Sequence, residues 1–466
     1  LAAVKRITFR DNDYFQVWVY EKVISCQMVH NTPIDSNTVR EQIALSNLAD
    51  LGRASIREIV RLVNIIERLT GEKFIRMEMG VPGLEPPDIG IEAEIAALHK
   101  GVASKYPMIE GVPELKRETM RFAKLFLNVD VWEEACIPCV GSMQGAMAAF
   151  MVANRSDRNK LGTLFIDPGF PVQKQQCRVL GHTFESFDVY DYRGDKLGPK
   201  LESYLSTGRI STLLYSNPNN PSWICFTEDE LRTIGELANK YDVIVIEDLA
   251  YFGMDFRKDY SQPGEPPYQP TVAHYCDHWL LLISSSKAFS FAGERVGAMV
   301  ISNKLFGRVY PDLKRYYTSD QFGYSMIYGA LYALSSGVCH SAQYGLAAML
   351  KAANDGQFNF VEMVKEYGVR AHELKRIFLE NGFEIVYTTD IDEPVADGFY
   401  FTISYPGMTG AVLLENLLYY GVSAISLVIT GSTRIEGLRA CVSQIHPSLY
   451  PVLETRLKQF RKDFSD

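Results

Sequence analysis

The sequence predicts an α/β fold: a mostly parallel sheet with helices on both faces, joined to a smaller α+β domain. Three observations lead there. From about residue 90 to 330, short apolar strands alternate with helical patterns, as a sheet covered on both faces requires. Loops rich in Gly, Pro, Ser and Asn follow several of those strands. The last third instead mixes long helices with isolated strands. A chain of 466 residues is also too long for one ordinary core, so two or three domains are expected.

In chain order, residues 1–54 pattern weakly and read as an N-terminal extension or arm, with Thr32-Pro33 and Asp35-Ser36-Asn37 as turn or cap signals. Residues 55–89 read as the N-terminal part of the small domain. There Ser55 caps an amphipathic helix with Ile56, Ile59, Val60, Val63 and Ile66 at its apolar positions, ending near Gly71. Residues 90–340 form the expected large domain, with strands at 135–140, 163–166, 212–215, 243–246, 280–283 and 298–301. Thr227 caps a helix over 228–240. The stretch 326–350 is apolar but interrupted by Ser335, Ser336, Gly337, His340 and Ser341, so it reads as helix, break, helix. Residues 341–466 are the C-terminal small domain, with helices over 360–380 and 410–420 and strands over 399–404 and 438–442.

Composition narrows the function. A net charge of −9 argues against a nucleic-acid surface, so anionic small molecules must be caught by a few placed arginines. No apolar run is long enough to span a bilayer. The eight cysteines are dispersed, and with no secretion signal they point to a reducing cytoplasm. Cys136-Ile137-Pro138-Cys139 reads as a buried strand, not a zinc half-site, because no second pair stands at zinc spacing. His274, Cys276 and His278 lack a partner cluster, so no metal is expected.

The chemistry gathers at strand exits, where open α/β sheets bind ligands. After the strand at 280–283 comes Ser284-Ser285-Ser286-Lys287, with Arg295 eight residues on. A lysine there can lose its proton and attack a carbonyl, while hydroxyls and arginine hold a phosphate. Those are the parts that bind pyridoxal phosphate as a Schiff base. After Val140 comes Gly141-Ser142-Met143-Gln144, opening a helix whose amides can cradle a phosphate, although such a turn can also merely connect elements. After Tyr215 comes the stiff turn Asn217-Pro218-Asn219-Asn220-Pro221, where Asn220 can donate a hydrogen bond. After Ile246 comes Asp248-Leu249-Ala250-Tyr251: a carboxylate to hold a ring nitrogen proton beside a phenol, or, taken alone, a helix cap.

These runs, in this order, resemble fold-type I pyridoxal-phosphate enzymes, and the class I/II aminotransferases in particular. Further matches are Lys105-Tyr106 with the following Glu110-Gly111-Val112-Pro113, and Asp167-Pro168-Gly169-Phe170-Pro171; the likeness runs from about Ser55 to the C-terminus. The resemblance implies an aminotransferase moving an amino group between an L-amino acid and a 2-oxo acid, with pyridoxal 5′-phosphate as cofactor. It implies that Lys287 forms the Schiff base and then carries protons. It implies that Asp248 keeps the ring nitrogen protonated, and that Tyr251 and Asn220 bond the ring oxygen. Phe170 stacks on the ring, where core packing is the alternative reading. Arg295, Ser284 and the Ser142-Met143-Gln144 turn hold the phosphate. Arg439 clamps the substrate carboxylate beside Gly80. Tyr106 reaches the phosphate of a neighbouring subunit, which makes a homodimer part of the site.

Two departures stand out. Ser222-Trp223 replaces the family's usual Thr-Gly after the Asn-Pro turn, in a position read as touching none of the catalytic roles. The stretch before Ser55 is also longer than the family needs. A β-carbon–sulfur lyase or decarboxylase on the same scaffold is the alternative enzyme. A non-catalytic regulatory domain fits less well, because no basic recognition helix precedes the fold.

Overall fold

The structure, a computed structural model, describes residues 31–464. Its centre is a seven-stranded sheet in the order 136–139, 297–301, 279–284, 244–249, 210–216, 162–167 and 183–188. Gly297–Ile301 runs antiparallel to both of its neighbours, while 279–284, 244–249, 210–216, 162–167 and 183–188 pair in parallel. The central strands are apolar on both faces because helices cover both. Leu281, Ile283, Val245 and Leu249 enter one core with the helices Pro113–Leu127 and His340–Asn354. Leu280, Leu282, Ile244 and Ile246 enter the other, against the helix Gly141–Ala153.

All six strands expected in this region form. The seventh, Thr183–Asp188, has no apolar run because it lies at the sheet edge, half open to solvent. The smaller domain holds a four-stranded antiparallel sheet, in the order 425–426, 438–441, 400–404 and 384–385. Its core also takes in Ile34, Val39 and the helix Ile56–Thr70. Residues 31–54 of the expected arm include side chains that pack into this core, while residues 1–30 lie outside the described residues. The helix His340–Asn354, which patterning places in the C-terminal domain, buries Leu346, Met349 and Leu350 in the large core. The segment expected as one helix over 360–380 forms two, Phe360–Val364 and Glu366–Glu380.

The two domains meet where this matters for chemistry. Trp223, Tyr251 and Met254 leave the large sheet and enter the small-domain core. The exits of the parallel strands thus face the small-domain strands that carry Tyr400 and Arg439.

Candidate active site

The strand Trp279–Ser284 ends in a single helical turn, Ser285–Ala288, that carries Lys287. The serines fix this turn: the Ser286 amide donates to Ser284 Oγ at 3.2 Å, and Ser285 Oγ donates to the Val296 carbonyl at 2.5 Å. Lys287 Nζ lies 6.0 Å from the centre of the Tyr251 ring. Burial holds its pKa below the ordinary lysine value, with Arg295 and Arg439 adding to that effect and the Asp248 charge opposing it. A neutral, nucleophilic amine is thereby favoured.

Asp248 ends the neighbouring strand and is buried. Gln173 Nε2 donates to its Oδ2 at 2.8 Å, and the Ala250 amide donates to its Oδ1 at 3.2 Å. Burial pushes its pKa up to about 6, against those two bonds and the lysine charge. A cation docked against this carboxylate restores its ionised form.

Four buried side chains close a ring beside this pair. Asn220 Nδ2 donates to Tyr251 Oη at 3.2 Å, and Tyr251 Oη donates to Tyr400 Oη at 2.9 Å. The Arg439 guanidinium lies over the Tyr400 ring at 4.7 Å, and its Nη1 reaches Asn220 Oδ1 at 3.4 Å. Arg439 Nη2 donates to the Glu78 carbonyl at 2.5 Å, which leaves Nε buried without a partner. An arginine held this way by neutral groups is a charge awaiting an anion. Gly80 belongs to the same cluster, because a Cβ there would come within 1.9 Å of Tyr400 Oη.

The features expected to bind phosphate lie at the start of the helix Gly141–Ala153, whose first turn has no side-chain cap. Gly141 has φ +65°, and a Cβ there would come within 2.6 Å of Arg295 Nη2. Glycine is therefore needed to bring the amides of the turn beside the guanidinium. Arg295 is exposed and donates to the Ala292 carbonyl at 3.0 Å. Gln144 turns away from the cradle: its Oε1 accepts from the Val140 amide at 2.8 Å and its Nε2 donates to Ser335 Oγ at 2.7 Å. The Met143 carbonyl accepts from Gln176 Nε2 at 2.8 Å. Phe170, half-buried, opens the helix Pro171–Leu180, which also supplies Gln173. Tyr106 stands apart from the cluster, 94% exposed.

Sequence reasoning missed Gln173 and Tyr400. Gln173 stands three residues after Phe170 on a helix, which is same-face spacing. Tyr400 pairs with Cys441, so it is a diagonal neighbour of Arg439 on one face of that ladder. The reading of Trp223 as clear of the catalytic roles is corrected. Its backbone takes φ +64°, which turns the indole inward against Tyr251, with ring centres 5.3 Å apart. Gly398 leaves the room: a Cβ there would lie 2.0 Å from the indole.

Other candidates fall elsewhere. Cys136 and Cys139 are buried on their strand, where burial pushes both thiols up to about 12. His274 sits on the Leu127 carbonyl at 2.9 Å, and His278 lies beside Arg308. Arg308 pairs with Asp242, just before the strand Ile244–Leu249 and so at the opposite end of the sheet from the strand exits.

The sheet, its covering helices and the lysine at a strand exit define a cofactor-dependent α/β enzyme. The family described as aminotransferase class I and II matches residues 72–389, and the chain belongs to that family. The chain is similar to LL-diaminopimelate aminotransferase of Natranaerobius thermophilus, 25% identical over 78% of this chain and 90% of that protein. It is also similar to a probable aspartate aminotransferase of Methanocaldococcus jannaschii, 23% identical over 73% of this chain and 80% of that one. Among solved structures, alanine aminotransferase from Pyrococcus furiosus superposes with a TM-score of 0.70 at 19% identity, covering 90% of this chain and 99% of that one. Aspartate aminotransferase from Thermus thermophilus with maleate superposes with a TM-score of 0.70 at 18% identity, covering 91% of this chain and 98% of that one. The protein is a pyridoxal-phosphate-dependent aminotransferase at the level of its family. The donor set fits that cofactor: an amine for its aldehyde, a carboxylate for its ring nitrogen, a phenol and amide for its ring oxygen, and a glycine-opened helix start with an arginine for its phosphate.

Proposed function

We propose that Lys287 is the covalent anchor of the cofactor and the group that moves protons at the substrate α-carbon. The observation that supports this most is the convergence of a desolvated lysine, a buried carboxylate and an arginine with an unpartnered Nε in one cluster. Bound pyridoxal phosphate supplies a cationic ring that takes up the electrons released when the substrate Cα–H bond breaks. Asp248, held in place by Gln173, pairs with the ring nitrogen. Tyr251 and Asn220 hold the ring oxygen, and Phe170 covers one ring face. The Ser142–Gln144 amides, Ser284 and Arg295 hold the phosphate. Arg439 takes the α-carboxylate through its free Nε edge, with Gly80 giving backbone approach. Lys287 is then poised to take a proton from the α-carbon and return it one atom away.

The substrates proposed are an L-amino acid and a 2-oxo acid, each carrying the carboxylate that Arg439 needs. Relatives named for aspartate, LL-diaminopimelate and alanine support that class. A homodimer with Tyr106 reaching into the partner's site is part of this reading, supported by the exposure of Tyr106. A cytoplasmic location is proposed because the described cysteines are unpaired thiols. The large domain is proposed to run to the end of the helix His340–Asn354, with the small domain formed by the residues before 90 and after 354.

Two substitutions test the assignment. In wild-type protein, borohydride fixes the cofactor irreversibly; in Lys287→Ala it does not, and turnover falls by at least roughly 10⁴-fold. A mutant that still fixes the cofactor and turns over removes the lysine from this role. Arg439→Ala raises the amino-acid KM far more than the cofactor Kd; equal losses of both would sink the carboxylate role.

A further inference from the structure

We infer that Tyr400 is a positioning residue of this site, one side chain that sets both the cofactor-facing phenol of Tyr251 and the substrate-facing guanidinium of Arg439. The inference rests on the proposed roles of those two residues. It starts from an unusual arrangement of three aromatic rings. Trp223, fully buried with φ +64°, packs edge-on to Tyr251 at 5.3 Å and to Tyr400 at 6.1 Å. A non-glycine residue in that backbone region is strained, so the surroundings must hold it there. They do: Gly398, two residues before Tyr400, has no side chain and the indole fills its place. Seated in that gap, the indole packs against both tyrosines, whose ring centres lie 5.5 Å apart.

The geometry of Tyr400 then does two separable jobs. Its hydroxyl meets Tyr251 Oη at 2.9 Å, and its ring lies 4.7 Å under the Arg439 guanidinium. Gly80 completes the enclosure, since a Cβ there would collide with the Tyr400 hydroxyl at 1.9 Å. In the structure Tyr251 donates its proton to Tyr400. A ring oxygen docked beside Tyr251 competes for that proton. Hydroxyl protons rotate, so Tyr400 can reverse the bond and donate to Tyr251. Tyr251 then accepts from both Tyr400 and Asn220, and a phenol that accepts two hydrogen bonds donates more strongly to a third partner. A stronger bond to a negatively charged ring oxygen favours the deprotonated form of the bound cofactor chromophore and lowers its pKa.

The test is a double-mutant cycle read by pH titration of the bound cofactor's absorbance, with steady-state kinetics beside it. Tyr400→Phe removes the hydroxyl and keeps the ring; it is expected to raise the spectroscopic pKa by about 0.5–1 unit, with amino-acid KM held within about threefold. Tyr251→Phe raises the pKa further, and adding Tyr400→Phe to it changes nothing more, because Tyr400 acts through that phenol. Tyr400→Leu removes the ring as well and raises KM by about tenfold. An unchanged pKa in Tyr400→Phe, or shifts that simply add in the double mutant, overturns the inference while the Tyr251 assignment stands. A Tyr251→Phe protein with a wild-type pKa removes that assignment and the inference with it. Should Tyr400→Phe not fold, Trp223→Phe reads the same pair: a smaller wedge raises the pKa in the native background and leaves it unmoved in Tyr251→Phe, and any other pattern counts against the coupling.

Discussion

Glu247 and Asp248 are adjacent on one strand, so their side chains leave opposite faces of the sheet. Asp248 faces Gln173 and the lysine, and a bound cation can repay its burial. Glu247 has no such prospect. Its Oε2 accepts from Thr271 Oγ1 at 2.5 Å and from the Val272 amide at 3.2 Å, while Oε1 is buried without a partner. Burial pushes its pKa from 4.5 up to about 7, against the bonds from Thr271 and Val272. A carboxyl whose pKa rises on folding binds its proton more tightly in the native state. The stability it contributes is therefore full below pH 4.5 and is lost as pH climbs toward 7. Each unit of that window corresponds to about 1.4 kcal/mol for such a group. Glu247→Gln should lessen the fall in stability of the cofactor-free protein between pH 5 and 7, where Asp248 also titrates, and raise its melting temperature at pH 8. Denaturant or thermal unfolding across that range decides it, and an unaltered slope would show that Glu247 titrates normally.

Helix starts show how one sequence signature can carry different energies. The capping box at Ser55 and Glu58 is exposed and local: the Glu58 amide donates to Ser55 Oγ at 3.3 Å, and the Ser55 amide to Glu58 Oε2 at 2.7 Å. Thr227 and Glu230 form the same box on the helix Glu228–Lys240, but there Glu230 is buried and also binds Arg193 through both oxygens at 2.7 Å. Arg193 in turn holds Asp390 of the hairpin 389–394 at 2.8 Å. Ser55→Ala should cost about 1 kcal/mol, the loss of a cap. Glu230→Ala should cost roughly 3 kcal/mol, because it removes the cap and both charge-assisted bonds to Arg193, which is left with Asp390 and the Cys225 carbonyl. Equal midpoint shifts in urea would mean that the Arg193 network contributes nothing beyond the cap. Both caps, Ser55 and Thr227, were legible in sequence, and so were the central strands, because buried parallel strands are continuous apolar runs. The edge strand Thr183–Asp188 was not, since half of it faces water. The site divides in the same way. Lys287, Asp248 and Asn220 each stand at or just after a strand end and can be read from their own segment. Gln173, Tyr400 and the inward turn of Trp223 depend on which elements lie opposite them, and no single segment carries that information.

At the scale of the whole molecule, the two domains are tied near the site. The Asp188 carboxylate, at the exit of the edge strand, accepts from Tyr387 Oη at 2.9 Å and from the Thr433 amide at 3.0 Å, both beyond the large domain. The outer face of the large domain carries a different signal. Tyr106 and Met108 are exposed, and their segment lies against the start of the helix His340–Asn354, where His340 Nδ1 meets the Lys105 carbonyl at 3.1 Å. Tyr324, Tyr328 and Tyr332 are exposed on the preceding helical stretch, and Glu110 interacts with Tyr328. The proposed second copy of this chain, with Tyr106 at its partner's phosphate, would cover these exposed aromatics. Mixing two inactive variants tests this directly. Lys287→Ala lacks the lysine but offers an intact Tyr106; Tyr106→Ala keeps the lysine and lacks the tyrosine. If Tyr106 serves the partner, each hybrid dimer contains one site with both native residues. Random re-pairing of equal amounts then restores about a quarter of the wild-type sites. If Tyr106 serves its own chain, no hybrid site has both residues and the mixture shows only the residual rate of the Tyr106→Ala protein. Activity that rises on unfolding and refolding the two variants together, but not separately, is the expected result; no rise, with dimers seen by sedimentation, would place Tyr106 outside the partner's site.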